Sequence, residues 1–150
     1  MMLQMLQQTV TDAMKRHDAM TVDTLRFLIS AVKNVAIAKY GIDADTKVTD
    51  ADVLDVIKKQ VKTHKESVEA FEKVGRTELA AKEKAQLTIL ESYVPKQLSD
   101  EKLKAILAPV VAGGGEFGPM MGKAMAAVKD QADGGRVSGI LKSLMTAKTQ

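Results

Sequence analysis

The sequence predicts an all-α protein, with an N-terminal four-helix domain over residues 1–96 and a small three-helix tail domain over 97–150. Three observations carry this. Apolar residues recur at spacings of three and four from one end of the chain to the other, and no segment alternates as a half-buried strand does. Gly41, Gly75, Pro95 and the triple glycine at 113–115 stand between the periodic runs. Residues that favour helix starts, Thr49, Thr77, Ser99 and Asp133, follow those breaks.

Leu3, Leu6, Val10 and Met14 make the apolar face of a first helix. In "TVDTLRFLISAVKNVAIAKYG" one face holds Leu25, Leu28, Ile29, Val32 and Ala36, while Phe27 and Ile37 fall outside it. That helix is apolar nearly all round, which predicts a central position, and Gly41 is placed to end it. Thr49 with Asp52 three positions on resembles a capping box, and Val48 with Val53 has the spacing of a hydrophobic staple. The helix they open should reach about Val74 and close at Gly75. Thr77 is placed to cap a fourth helix carrying Leu79, Leu87 and Leu90, which pairs with the third as a hairpin across "VGRT". Pro95 stops it, and "PKQLSDEKL" reads as a hinge in which Ser99 caps the next helix and Asp100 and Glu101 favour its positive end. That helix, through Leu103, Ile106 and Leu107, is weakened near its end by Pro109. Pro119 sits in the first turn of the following one. Asp133 caps the last, whose face is Val137, Ile140, Leu141 and Leu144.

The totals exclude several classes of function. The 150 residues are 45% apolar and 27% charged, with a net charge of +3, ordinary for a soluble globular protein and too mild to imply nucleic acid. The absence of cysteine excludes disulfides, thiolate nucleophiles and cysteine-ligated metals. No apolar run is long enough to span a membrane, and the N-terminus lacks the pattern of a secretory signal, so the expectation is a cytoplasmic protein. Aromatic residues are Phe27, Tyr40, Phe71, Tyr93 and Phe117 alone. Single-strand readers stack bases on aromatic platforms, so any RNA binding here should use shape and phosphate contact.

No catalytic constellation is present. "GGGEFG" matches G-x-G-x-x-G literally, but a dinucleotide loop needs a strand before it, and here a helix precedes it, so it reads as a connector. Leu54, Ile57, Val61, His64, Val68, Phe71 and Gly75 share one stripe, which puts His64 in a packing seam as a hydrogen-bonded residue instead of a ligand. His17 has no visible partner. No metal and no cofactor is assigned. Lys58, Lys62 and Lys65 line one flank of the stripe, with Lys59 beyond. They could contact phosphates, or their stems could cover the edge of the stripe while the ammonium groups stay in water. Lys65–Glu69 and Glu72–Arg76 have the spacing of helical ion pairs. Met120, Met121 and Met125 cluster on one short helix, either as core filling or as an adaptable surface for a protein partner. Residues 113–150 carry Lys123, Lys129, Arg136, Lys142 and Lys148 against Glu116, Asp130 and Asp133, a net excess that suits a phosphate backbone.

Three blocks, "TLRFLISAVKN", "VKTHKESVEAFEKVGRTELAAKEKAQLTILESYVPKQLSDEKL" and "MGKAMAAVKDQADGGRV", together resemble the YqeY group of the GatB/YqeY family. The likeness covers nearly the whole chain, and its most specific parts are the K-x-S, F-x-x-x-G-R and Y-x-P-x-Q-L-S elements. What the resemblance implies is a chain similar to the C-terminal helical and tail part of GatB, a subunit of the glutamine-dependent amidotransferase acting on misacylated tRNA. That part contacts tRNA, while the ATP and metal chemistry of GatB has no counterpart here. The family label of carbon–nitrogen ligase with glutamine as amido donor then reads as inherited from GatB. The resemblance implies a non-catalytic, tRNA-associated module with Lys123, Lys129, Arg136 and Lys142 as contacts and Lys58, Lys62 and Lys65 as a second set. The alternatives are a protein-binding adaptor or an accessory amidotransferase component. Gly122, Lys123, Ala132, Asp133, Gly134 and Val137 fall on the family pattern. Asp130 and Gln131 depart from it, where a "KGRADG"-like turn is common, and so remove one positive charge and add a negative one.

Overall fold

The computed structural model describes residues 1–129 and 131–149, with 148 and 149 described by their backbone alone. The described residues hold helices and no strand. The chain divides into two compact units, Met1–Val94 and Pro95–Gln150, each with its own apolar core.

The first unit contains α1 (Met2–Lys15), α2 (Ala19–Tyr40), a 3-10 turn at Gly41–Asp43 that runs into the one-turn α3 (Ala44–Lys47), α4 (Asp50–Lys73) and α5 (Thr77–Glu91). Leu6, Leu25, Leu28, Ile57 and Leu90 are fully excluded from water at its centre, and each such side chain contributes about 1.5–3 kcal/mol. As expected, α2 is central, packing against α1, α3, α4 and α5. Its off-face apolar residues are not covered, however: Phe27 and Ile37 are 68% and 58% exposed. The buried stripes also turn slightly from the expected ones. Ala13 is buried in place of Met14, and Ala80 in place of Leu79.

Most helix ends follow the sequence signals. Thr49 and Asp52 form the capping box: the Asp52 amide donates to Thr49 Oγ1 at 3.2 Å and the Thr49 amide to Asp52 Oδ2 at 2.9 Å. At the far end of α4 the Gly75 amide donates to the Glu72 carbonyl and the Arg76 amide to that of Phe71. This six-residue closure needs a left-handed residue, and Gly75 supplies it at φ 73°. Thr77 does not cap α5; Arg76 holds that position without a side-chain bond, and Thr77 is already helical.

α1 ends by the same device, with a histidine where glycine is usual. The His17 amide donates to Met14 and the Asp18 amide to Ala13, and His17 itself stands at φ 56°. A left-handed conformation costs a residue with a Cβ roughly 1–2 kcal/mol, part of which Gly offsets through the freedom it has in the unfolded chain. The His17 side chain is exposed, so His17→Gly is expected to stabilise the protein by about 0.5–1 kcal/mol, seen as a higher midpoint of thermal unfolding. A lower midpoint would show that the imidazole makes a contact worth more than the strain.

Asp52 does more than cap. Lys39 Nζ donates to its Oδ1 at 2.6 Å and the Tyr40 hydroxyl to its Oδ2 at 2.8 Å, so the last turn of α2 is tied to the first turn of α4. The Lys39 ammonium, the Thr49 amide and the Tyr40 hydroxyl hold this carboxyl well below the usual carboxylate range. Asp52 in turn raises Lys39 above the usual lysine range. A depressed carboxylate contributes stability above its unfolded value, near pH 4, and loses it as pH falls; a raised lysine contributes below about pH 10 and loses it as pH rises. Asp52→Asn is therefore expected to be less stable than the parent at pH 7 and to lose less on acidification to pH 3. Urea midpoints at the two pH values measure this, and parallel losses in both proteins would contradict the assignment.

The second unit contains α6 (Asp100–Ala112), α7 (Phe117–Val128) and α8 (Gly134–Thr149). Ser99 caps α6, and Asp133 Oδ1 accepts from the Arg136 amide at 2.8 Å at the start of α8. Helix α6 runs through Pro109, whose carbonyl still accepts from the Gly113 amide. Gly114 and Gly115 then take φ of 70° and 107°, so the first four residues of "GGGEFG" connect two helices and its last two, Phe117 and Gly118, open α7. Leu103, Leu107, Val111, Met120, Ala124, Val128, Ala132, Val137 and Leu141 fill the core.

Candidate functional site

The tail unit presents its cations unevenly. Met120 is only 4% exposed and Met121 and Met125 pack half-buried against the same core. The methionines therefore fill the interior, and α7 turns its opposite side outward with Lys123. Lys129 ends α7 in the left-handed conformation at φ 48°, with an exposed side chain. Lys142, on α8, lies 5.3 Å from the centre of the Phe117 ring, near enough for a cation–π contact that steers the ammonium. Among the described residues none of these three lysines forms an ion pair with a carboxylate.

Arg136 behaves differently. Its Nη2 donates to the Leu98 carbonyl at 2.8 Å and to Asp100 Oδ1 at 2.7 Å. The Leu98 amide donates to the Gln131 carbonyl at 2.8 Å, so the segment before α6 is laced to the turn before α8, and Arg136 is part of that lacing. Gln131 is half-buried and takes part through its backbone. Asp130, and the side chain of Lys148, lie outside the described residues.

In the first unit the basic flank of α4 is partly engaged. Lys58 is half-buried, while Lys62 and Lys65 are exposed. Lys65 pairs with Glu91 at 3.4 Å and Glu72 with Lys84. Both pairs run across the α4–α5 hairpin instead of along α4, as the sequence spacing suggested. His64 is in the seam as expected. Its Nδ1 lies 2.5 Å from Glu83 Oε2. The pair lines a groove of about 330 Å³ with Asp23, Thr24 and Phe27 of α2 and Gln86 of α5. Sequence reasoning missed this groove, because nothing in the local pattern says that Phe27 stays out of the core or that Glu83 meets His64. Among the described residues no three His, Asp or Glu side chains are gathered as a metal site would require. No helix among them is long and apolar enough to cross a membrane.

The fold and these surfaces define a helical protein of two units with a set of exposed lysines on its C-terminal one. The chain belongs to the family of YqeY-like proteins, whose pattern matches residues 3–145. It is 29% identical over 150 residues to "Altered inheritance of mitochondria protein 41, mitochondrial" of Pyrenophora tritici-repentis, covering 95% of this chain and 80% of that protein. It is 31% identical over 96 residues to an uncharacterized protein of Schizosaccharomyces pombe, covering 63% of this chain and 73% of the relative. The similarly named mitochondrial protein of Saccharomyces cerevisiae is 29% identical over 118 residues, covering 75% of this chain and 62% of the relative. These names overturn the expectation of a cytoplasmic protein. That expectation rested on the lack of a secretory signal and of a membrane span, and neither feature distinguishes the cytoplasm from an organelle interior.

Proposed function

We propose that the chain is a non-catalytic module that binds tRNA through the phosphate-facing lysines of its C-terminal unit, in the mitochondrial setting that its relatives' names indicate. The observation that carries this reading is the exposure of Lys123, Lys129 and Lys142, none ion-paired among the described residues, on a small unit whose methionines are turned inward. Each lysine that meets a phosphate releases a condensed counterion, so three such contacts bind a polyanion without base readout, in keeping with the few aromatic residues. The resemblance to the tRNA-contacting part of GatB supports RNA as the polyanion, and the same resemblance covers none of the catalytic part of GatB. Arg136, held by Leu98 and Asp100, acts as a positioning residue for the unit. On α4, Lys62 is a secondary contact beside the half-buried Lys58, while Lys65 is engaged by Glu91 across the hairpin.

Binding of purified protein to bulk tRNA tests the reading, with a variant in which Lys123, Lys129 and Lys142 are all Ala. The three positions are exposed, so the variant should fold as the parent does, and its affinity at low salt should fall by an order of magnitude or more. Equal affinity in the two proteins would contradict the proposal.

A further inference from the structure

The groove between α2 and the α4–α5 hairpin lies in the first unit and has no part in the reading above. Phe27 projects from α2 with 68% of its surface exposed, although it is one of only three phenylalanines in the chain. Asp23 lies one turn before it on the same face, exposed, and forms no ion pair among the described residues. Across the groove Glu83 is held in place by His64, its side chain 23% exposed, and Gln86 follows one turn further along α5. The Thr24 hydroxyl is spent on the Met20 carbonyl at 2.7 Å. The lining thus offers two carboxylates, an amide and an aromatic ring, with the His64 imidazole as its one basic group.

We propose that this groove receives a lysine or arginine side chain of a partner polypeptide. A cation over the Phe27 ring is drawn by the ring quadrupole, and Asp23 and Glu83 on the two walls supply the countercharge. Like-charge repulsion from the same two carboxylates argues against a phosphate, and so against an RNA backbone at this place. A free amine would satisfy the carboxylates but leave the ring uncovered. A side chain delivered on a polypeptide brings neighbours that cover the ring, in the way that interface anchors are ringed by contacts that exclude water. The volume, near the lower end of the roughly 300–1,000 Å³ typical of ligand sites, suits a side chain.

The test is an NMR titration of the isotopically labelled full chain with an acetylated and amidated Leu-Arg-Leu peptide, against the Leu-Glu-Leu peptide as control. The Arg peptide is expected to shift the Phe27 ring and the Asp23 and Gln86 signals saturably, the Glu peptide to leave them unmoved. Phe27→Ala and Asp23→Asn, both at exposed positions, should each weaken the Arg peptide by about tenfold. The proposal is overturned if no shift develops up to about 10 mM peptide, if both peptides act alike, or if both variants bind as the parent does. It is equally overturned if tRNA moves these signals and the Arg peptide does not.

Discussion

Ile57→Ala is expected to remove about 2–5 kcal/mol of stability, the largest single effect forecast for this chain. Ile57 is fully buried in the middle of α4 and packs in the core shared by α1, α2, α4 and α5. Truncation leaves a cavity that neighbouring side chains from several helices cannot all move to fill. Since a domain of this size is stable by only about 5–15 kcal/mol, the loss should be plain in urea unfolding as a lower midpoint. Phe27→Ala gives the contrast. It deletes a larger side chain from the same unit, yet at an exposed position it should change stability by no more than about 0.5 kcal/mol. If the two variants were equally destabilised, Phe27 would be part of the packing and the groove built on it would lose its basis.

The second large effect is at Arg136. Replacing it by Met keeps much of the stem and removes the guanidinium, leaving the Leu98 carbonyl and Asp100 without their partner. Hydrogen bonds to charged groups contribute about 1.5–3 kcal/mol, and with the side chain 34% exposed the lower half of that range is expected. Arg136→Met should thus lower the stability of the protein, whereas Lys123→Ala should leave it unchanged within about 0.5 kcal/mol. A fully stable Arg136→Met protein that binds tRNA less well would show instead that Arg136 belongs with the phosphate contacts.

The helices and most of their ends were legible because they are set by neighbours in sequence. The Thr49–Asp52 box, the Ser99 and Asp133 caps, and Gly41 and Gly75 act within one turn, and the local pattern carries them. What the sequence hid depends on partners far along the chain. Asp52 looked like a cap and is also the point where Lys39 and Tyr40 converge. Arg136 looked like one of four candidate phosphate contacts in the tail and is bonded across the unit to Leu98. Lys65 and Glu72 had suitable partners four residues on, but took Glu91 and Lys84 on the facing helix. The spacing of the larger apolar residues put Met14 and Leu79 on the apolar faces, whereas the neighbouring Ala13 and Ala80 are the buried positions. His17 was hidden for another reason, since nothing in its side chain announces a left-handed backbone where glycine is the usual choice. Of the candidate contacts, Lys123, Lys129 and Lys142 are exposed, and Met120 is buried.

The central claim is that the C-terminal lysines meet phosphates, and the salt dependence of tRNA binding tests it most directly. The slope of log affinity against log salt reports the number of neutralised phosphates, at about 0.7–0.9 per contact. The parent should show a steep negative slope, and the variant with Lys123, Lys129 and Lys142 changed to Ala a slope shallower by roughly 2–3. Identical slopes, or binding by the parent that does not respond to salt, would contradict the account.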